Sequence, residues 1–258
     1  MRCRVILVPP ARHVNPQPRS PAGVSGGPAR PEEPDVPVTT TADLGSGQAD
    51  LSLAQSAYLR LRERLVMLDI PPGAPLQEQG LSSELGVGRT PLREAIKRLE
   101  VERFVETFPR RGTFATRVDP TALEEISEVR RALEPLAARR AARLVDPAGR
   151  RLADAVSARL LELHEHASPR DHMAMDVQVH QTVYSLARNS HLESSLTHYL
   201  FLALRIWSVA VRRLEAVADH VSEHQHILQA VRDGDEDLSA GLMVDHMERF
   251  EAAIRRVL

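Results

Sequence analysis

Leu85-Gly86-Val87-Gly88-Arg89-Thr90-Pro91-Leu92-Arg93-Glu94-Ala95-Ile96-Lys97-Arg98-Leu99 is the stretch from which the rest of the chain can be read. Leu92, Ile96 and Leu99 recur at the three- and four-residue steps of one buried helix face. Arg89, Arg93 and Lys97 step by four along the opposite face, with Arg98 to one side. Thr90 is suited to capping and Pro91 to a first helical position, so a helix is expected from there to about Glu102. Gly86 closes a shorter helix around residues 77–85. Before it, Pro71-Pro72-Gly73 ends a helix in which Ala54, Tyr58, Leu61, Leu65 and Leu68 share a face. After it come the β-prone run Phe104–Phe108, the turn Pro109-Arg110-Arg111-Gly112 and a returning strand over Thr113–Val118. Three helices followed by strand, basic turn and strand outline a winged helix-turn-helix at residues 51–118.

Such an exposed basic face is suited to double-stranded DNA. Arginine forms paired hydrogen bonds with guanine, and threonine reaches a phosphate or a thymine methyl. The turn Arg110-Arg111-Gly112 suits the minor groove, where glycine permits close approach and arginine meets negative potential. The ordinary alternative for any one arginine is a solvated surface charge, but a helix face and a basic turn together weaken that account.

Composition bounds the rest. The 258 residues, 43% hydrophobic and 26% charged, suit a two-domain globular chain. The net charge of −2 hides an asymmetry: residues 51–117 carry 11 Lys/Arg against 8 Asp/Glu, and residues 118–258 carry 17 against 22. A polyanion is expected to meet the first part. Residues 1–50 are rich in Pro, Gly, Ser and Thr without apolar periodicity and are read as a disordered tail, compatible with a translation start beyond it. Val5–Val8 is too short for a signal-peptide core, no apolar run spans a bilayer, and Cys3 is the only cysteine; a cytoplasmic, non-membrane protein is expected.

Residues 119–258 show helical periodicity, broken at Asp146-Pro147, Ser168-Pro169, Asn189-Ser190, near Val217 and at Gly234, which predicts an antiparallel six-helix bundle. Ten of the eleven histidines lie between His164 and His246. Asp176 and His180 are one turn apart on a face with Met173, Val183 and Ala187, a spacing that holds one side of a divalent metal. His246 falls in the inward stripe Met243-His246-Met247-Phe250-Ile254-Val257, and His224 sits beside a seam containing Leu228 and Val231. Asp176, His180, His224 and His246 would give an N₃O set for Zn²⁺, with Ni²⁺ or Mn²⁺ also accommodated. On spacing alone His220 or His226 serves in place of His224; His164, His166, His172 and His198 are assigned to core or surface.

The 85–99 run, with Ile70-Pro71-Pro72-Gly73-Ala74-Pro75-Leu76 and Pro109-Arg110-Arg111-Gly112-Thr113-Phe114, resembles the signature of the GntR family of bacterial repressors. The resemblance implies a homodimer on a pseudo-palindromic operator, with Arg89, Thr90, Arg93, Arg111 and Gly112 as DNA contacts; Lys97 and Arg110 join them from the basic face and the turn. Gly80 and Gly88 depart from the family, which usually has a charged or polar residue and a serine there. Glu128-Val129-Arg130-Arg131-Ala132-Leu133-Glu134-Pro135-Leu136-Ala137-Ala138 is similar to the first helix of the FCD ligand-binding domain, placed at 119–258. Asp176-Val177-Gln178-Val179-His180, Ala187-Arg188-Asn189, Glu223-His224-Gln225-His226-Ile227 and Asp245-His246-Met247 resemble its metal-binding version, with Val179 in place of the usual aromatic. That version implies a metal on Asp176, His180, His224 and His246 with positions open to a small carboxylate effector. Arg130 is the first choice to hold the effector's other end, Asn189 and Arg205 the next; an Arg130–Glu134 ion pair one turn apart is the alternative. A metal-free pocket for a larger organic or fatty acid is the second reading. A zinc hydrolase is the remote third, because no HExxH or nucleophile motif is present and Glu223 points about 100° away from its neighbour His224.

Overall fold

The computed structural model describes residues 51–163, 167–210 and 223–256. The tail at 1–50, His164, His166, His220, Val217 and Val257 lie outside the described residues.

Helices α1 (Leu53–Val66), α2 (Glu78–Leu85) and α3 (Arg89–Val101) precede an antiparallel hairpin of β1 (Val105–Phe108) and β2 (Gly112–Ala115). This is the expected winged helix-turn-helix. Tyr58, Leu61 and Leu65 of α1 and Leu92, Ile96 and Leu99 of α3 are buried against one another. The 70–76 stretch has a structural role in the wing: Leu76 N–H donates to Thr113 O at 2.8 Å and Ala115 N–H to Ala74 O at 2.9 Å, laying it alongside β2.

The start of α3 differs from expectation. Gly88 is the cap, without a side-chain bond, and Arg89 opens the helix, so Thr90 and Pro91 lie one and two residues inside it. The first four N–H groups of a helix lack partners in any case, so Pro91 leaves no hydrogen bond unmade. Gly86 ends α2 at φ 66°, the left-handed conformation glycine adopts without strain. Gly80 is different: it sits in the first turn of α2, where an added Cβ would meet only Gln77 Cβ within 4 Å, at 3.9 Å. Gly80→Ala is therefore expected to stabilise the protein by about 0.5–1 kcal/mol, read as a higher unfolding midpoint in urea at unchanged slope.

Among the described residues the regular elements of the second part are all helices: α4 (Ala122–Leu144), α5 (Pro147–Leu161), α6 (Pro169–Leu186), α7 (Ser190–Ala210), α8 (His224–Asp233) and α9 (Glu236–Arg255). The breaks read from the sequence are capping sites. Asp146 accepts from Gly149 N–H at 2.7 Å, Ser168 and Asp171 form a reciprocal capping box before Pro169, and Asn189 Oδ1 accepts from Leu192 N–H at 3.1 Å. Gly234 turns the chain at φ 80° between α8 and α9. Helix α4 is the hub, packed against α6, α7, α8 and α9. That places α6, α8 and α9, which carry the Asp and His residues, around one helix. No described helix is long and apolar enough to cross a membrane.

Candidate functional site

Two sites were expected, a basic face and a metal cluster. On the first, Arg89, Thr90, Arg93 and Lys97 are exposed on α3, opposite its buried seam, and Arg110, Arg111 and Gly112 are exposed at the wing tip. Arg110 has φ 64° and Gly112 φ 95°, so two left-handed residues turn the hairpin sharply. Arg93 Nε lies 2.8 Å from Glu78 Oε2 at the start of α2. Arg98 does not join this face. Its guanidinium sits 3.6 Å from the centre of the Tyr58 ring and donates to Gln55 Oε1 and Glu102, so it bonds to α1 and to the end of its own helix.

The second site is assembled from α6, α8 and α9. Asp176, His180, His224 and His246 are all buried, and one donor atom from each lies within 4.8 Å of all the others. His180 Nε2 is 3.3 Å from both His224 Nε2 and His246 Nε2. Asp176 Oδ1 is 3.5 Å from His224 Nε2 and 3.8 Å from His180 Nε2. Two imidazole nitrogens bound to one zinc at about 2.0–2.1 Å in a tetrahedral arrangement stand about 3.3 Å apart, so His180 is spaced from each of the other two rings as such an ion requires. His224 opens α8 fully buried whereas His226 is exposed, which selects His224 between those two. His172 is buried with Nδ1 at 3.1 Å from Ser168 O, and His198 is partly buried on α7; neither joins the cluster.

Behind the cluster lie residues the sequence reading did not include in it. Glu134 Oε2, on α4, is 2.8 Å from His180 Nδ1. A proton on Nδ1 toward that carboxylate would leave the Nε2 lone pair facing the other donors, the orientation a metal-bound histidine needs. Burial alone would raise the Glu134 carboxyl, but Arg130 first, then His180, outweigh it and bring it to about 2. The Tyr184 hydroxyl lies 3.3 Å from the same His180 Nδ1. His246 Nδ1 faces a second carboxylate, Glu223 Oε2, at 3.4 Å, and Glu223 is paired in turn with Arg249. Glu134→Gln keeps the shape but loses the charge behind His180. Its metal affinity is expected to be roughly 10- to 100-fold weaker, read in competition with a chelating dye.

The structure gives each of the three expected effector contacts a partner within the protein. Arg130 is buried and lies 2.6 Å from Glu134 Oε1, so the ion pair one turn apart is what forms; a buried guanidinium takes the nearest planar anion. Asn189 has its side-chain oxygen engaged as the cap of α7. Arg205 bonds to Phe104 and Thr116 of the winged helix, because its face of α7 meets that domain and not the cluster.

Two family models match: "Bacterial regulatory proteins, gntR family" over residues 53–115 and "FCD domain" over residues 125–249. The Nta operon transcriptional regulator of Aminobacter aminovorans is 31% identical over 194 residues, 72% of this chain and 87% of that protein. The HTH-type transcriptional repressor RspR of Escherichia coli (strain K12) is 23% identical over 204 residues, 79% of this chain and 89% of that protein. Among solved structures, E. coli McbR/YncC superposes with a TM-score of 0.71 at 19% identity, covering 80% of this chain and 98% of that one, which shows the fold. These relatives and families are regulators of transcription, not enzymes. An exposed basic face on a winged helix-turn-helix, a helical domain behind it and these likenesses lead to one assignment: the chain belongs to the GntR family of bacterial regulatory proteins, as a DNA-binding transcriptional regulator with an FCD effector domain.

Proposed function

We propose that this regulator is a homodimeric repressor whose hold on a pseudo-palindromic operator is controlled by a small carboxylate bound at a divalent metal. Residues 51–118 form the DNA-binding domain and residues 119–258 the effector domain. Arg89, Thr90, Arg93 and Lys97 enter the major groove, and Arg110, Arg111 and Gly112 meet the flanking minor groove. Two copies are needed because one short helix reads few base pairs.

The observation that carries the metal reading is the convergence of four buried donors, Asp176, His180, His224 and His246, from three helices. Left without an ion, three imidazoles and a carboxylate in one buried pocket are costly to desolvate. Zinc is the expected ion, and the donor set also suits nickel or manganese. Bound there, it supplies a Lewis-acid site for an oxygen anion. The chain's own part is to orient the donors: Glu134 holds His180 and Glu223 holds His246, while Arg130 balances the Glu134 charge. The effector acts by binding the DNA-competent and DNA-incompetent states with different affinity.

The test begins with metal analysis of protein purified without chelator or affinity metal. About one ion per chain is expected, and less than about half would favour a pocket that binds a larger acid directly. Small carboxylates, sugar acids and hydroxy acids are then screened by thermal shift with metal present and after stripping, since a ligand of the native state raises its stability. A hit must raise the melting temperature only with metal and release a duplex selected by the protein from random DNA. Release without metal, or no hit that affects DNA binding, counts against the proposal.

A further inference from the structure

Arg205 belongs to α7 of the helical domain, yet every hydrogen bond of its side chain among the described residues goes to the winged helix. Nη1 donates to Phe104 O at 3.2 Å and Thr116 Oγ1 at 2.7 Å, and Nη2 to Thr116 O at 2.7 Å. Phe104 immediately precedes β1 and Thr116 immediately follows β2, so one planar fork spans the base of the hairpin whose tip is Arg110-Arg111-Gly112. One turn earlier on the same face of α7, the Phe201 ring lies 3.8 Å from the guanidinium of Arg62 on α1. A single helix of the effector domain thus grips the three-helix part by a stacked cation and the wing by a fork.

The chemistry of this contact is unusual. Arg205 is only 4% exposed, Nε has no hydrogen-bond partner, and no carboxylate among the described residues pairs with it. Burial lowers it to about 10, which leaves it charged at neutral pH. A buried cation facing only neutral oxygens adds little to stability, and an apolar side chain of similar volume would fill the space without the desolvation cost. What an apolar residue could not do is hold both strand ends in one plane.

We propose that Arg205 is a positioning residue for DNA binding, through which the effector domain sets where the wing lies relative to α3. This rests on the reading that the wing tip meets DNA, and the experiment separates the two. Full-length protein is bound to a selected operator duplex and followed by hydroxyl-radical footprinting and by affinity across a salt series. An Arg110→Ala, Arg111→Ala double variant measures the wing's own part: flanking protection is lost, and the slope of log affinity against log salt becomes shallower by about 0.9 for each phosphate no longer neutralised. Arg205→Met is expected to reproduce that loss, with affinity roughly tenfold lower at moderate salt, a melting temperature that does not fall, and unchanged base preference at the centre of each half-site. Arg205→Lys, which keeps the charge and a single donor nitrogen but not the planar fork, restores part of the flanking protection. Wild-type flanking protection in Arg205→Met, while the double variant loses it, would overturn the proposal. So would an Arg205→Met protein whose only change is a lower melting temperature. A double variant with a wild-type footprint refutes the wing reading, and the proposal falls with it.

Discussion

An Arg93→Ala protein is expected to bind a selected operator roughly 30-fold to 10⁴-fold more weakly than wild type. A bidentate arginine–guanine pair is worth about 1–3 kcal/mol of discrimination, and the proposed two-fold symmetric dimer would contain it twice. Two features place Arg93 first among the α3 residues. It stands at the centre of the exposed row between Arg89 and Lys97, and its Nε is held 2.8 Å from Glu78, so the outer edge of the guanidinium is presented in one direction. Removing it also leaves the Glu78 carboxylate facing the duplex without its partner, which adds repulsion. The side chain is 63% exposed, so folding stability is expected to stay within about 0.5 kcal/mol of wild type. Fluorescence anisotropy with specific and scrambled duplexes reads the effect, which should appear mainly on the specific one. Affinity within about threefold of wild type would remove α3 from the base-reading role.

The second large effect concerns the cluster. Metal in roughly 100- to 1,000-fold excess over its dissociation constant stabilises a native state by about 2.7–4.1 kcal/mol. At about 2–4 °C per kcal/mol for a folded region of this size, wild type should melt roughly 5–15 °C higher with metal than after stripping. His224→Ala is expected to lose that increment entirely, because it removes the fully buried donor at the start of α8. The increment, not the absolute melting temperature, is the quantity to read, since the substitution also leaves a cavity. An exposed neighbour supplies the control: His226→Ala should keep the full increment. Equal increments in His224→Ala and wild type would show that metal binds elsewhere.

Several parts of this molecule are legible in its residues because their causes are local. Asp146-Pro147, Ser168-Pro169 and Asn189-Ser190 mark helix starts, since a short polar side chain caps the amides three residues on. Asp176 and His180 share a face through their four-residue spacing alone. The basic face of α3 follows from the same periodicity. The start of α3 was legible only to within two residues, because Gly88, Thr90 and Pro91 each fit the first turn.

The partners of buried charges were less legible. Arg130, Asn189 and Arg205 all have the chemistry to meet a carboxylate, and that chemistry suggested them as effector contacts. In the structure Arg130 pairs with Glu134, Asn189 caps α7, and Arg205 meets the base of the wing. Nothing in the sequence distinguishes Glu134 as the partner of His180, for the two are 46 positions apart on α4 and α6 and only the packing of those helices brings them to 2.8 Å. Arg62, outside the α1 seam read from the sequence, is buried with the Phe201 ring of α7 and the Tyr58 ring over its guanidinium.

The winged helix-turn-helix built around the Leu85–Leu99 run, its basic face and the helical character of the rest were thus determined by the sequence itself. Periodicity and capping act over a few residues and do not depend on what packs where. Which histidine completes the cluster, which carboxylates stand behind it and where each buried guanidinium points were decided only by tertiary structure. A buried charge must find its counter-charge or hydrogen-bond acceptors on whatever element lies opposite, and that element can be a hundred residues away.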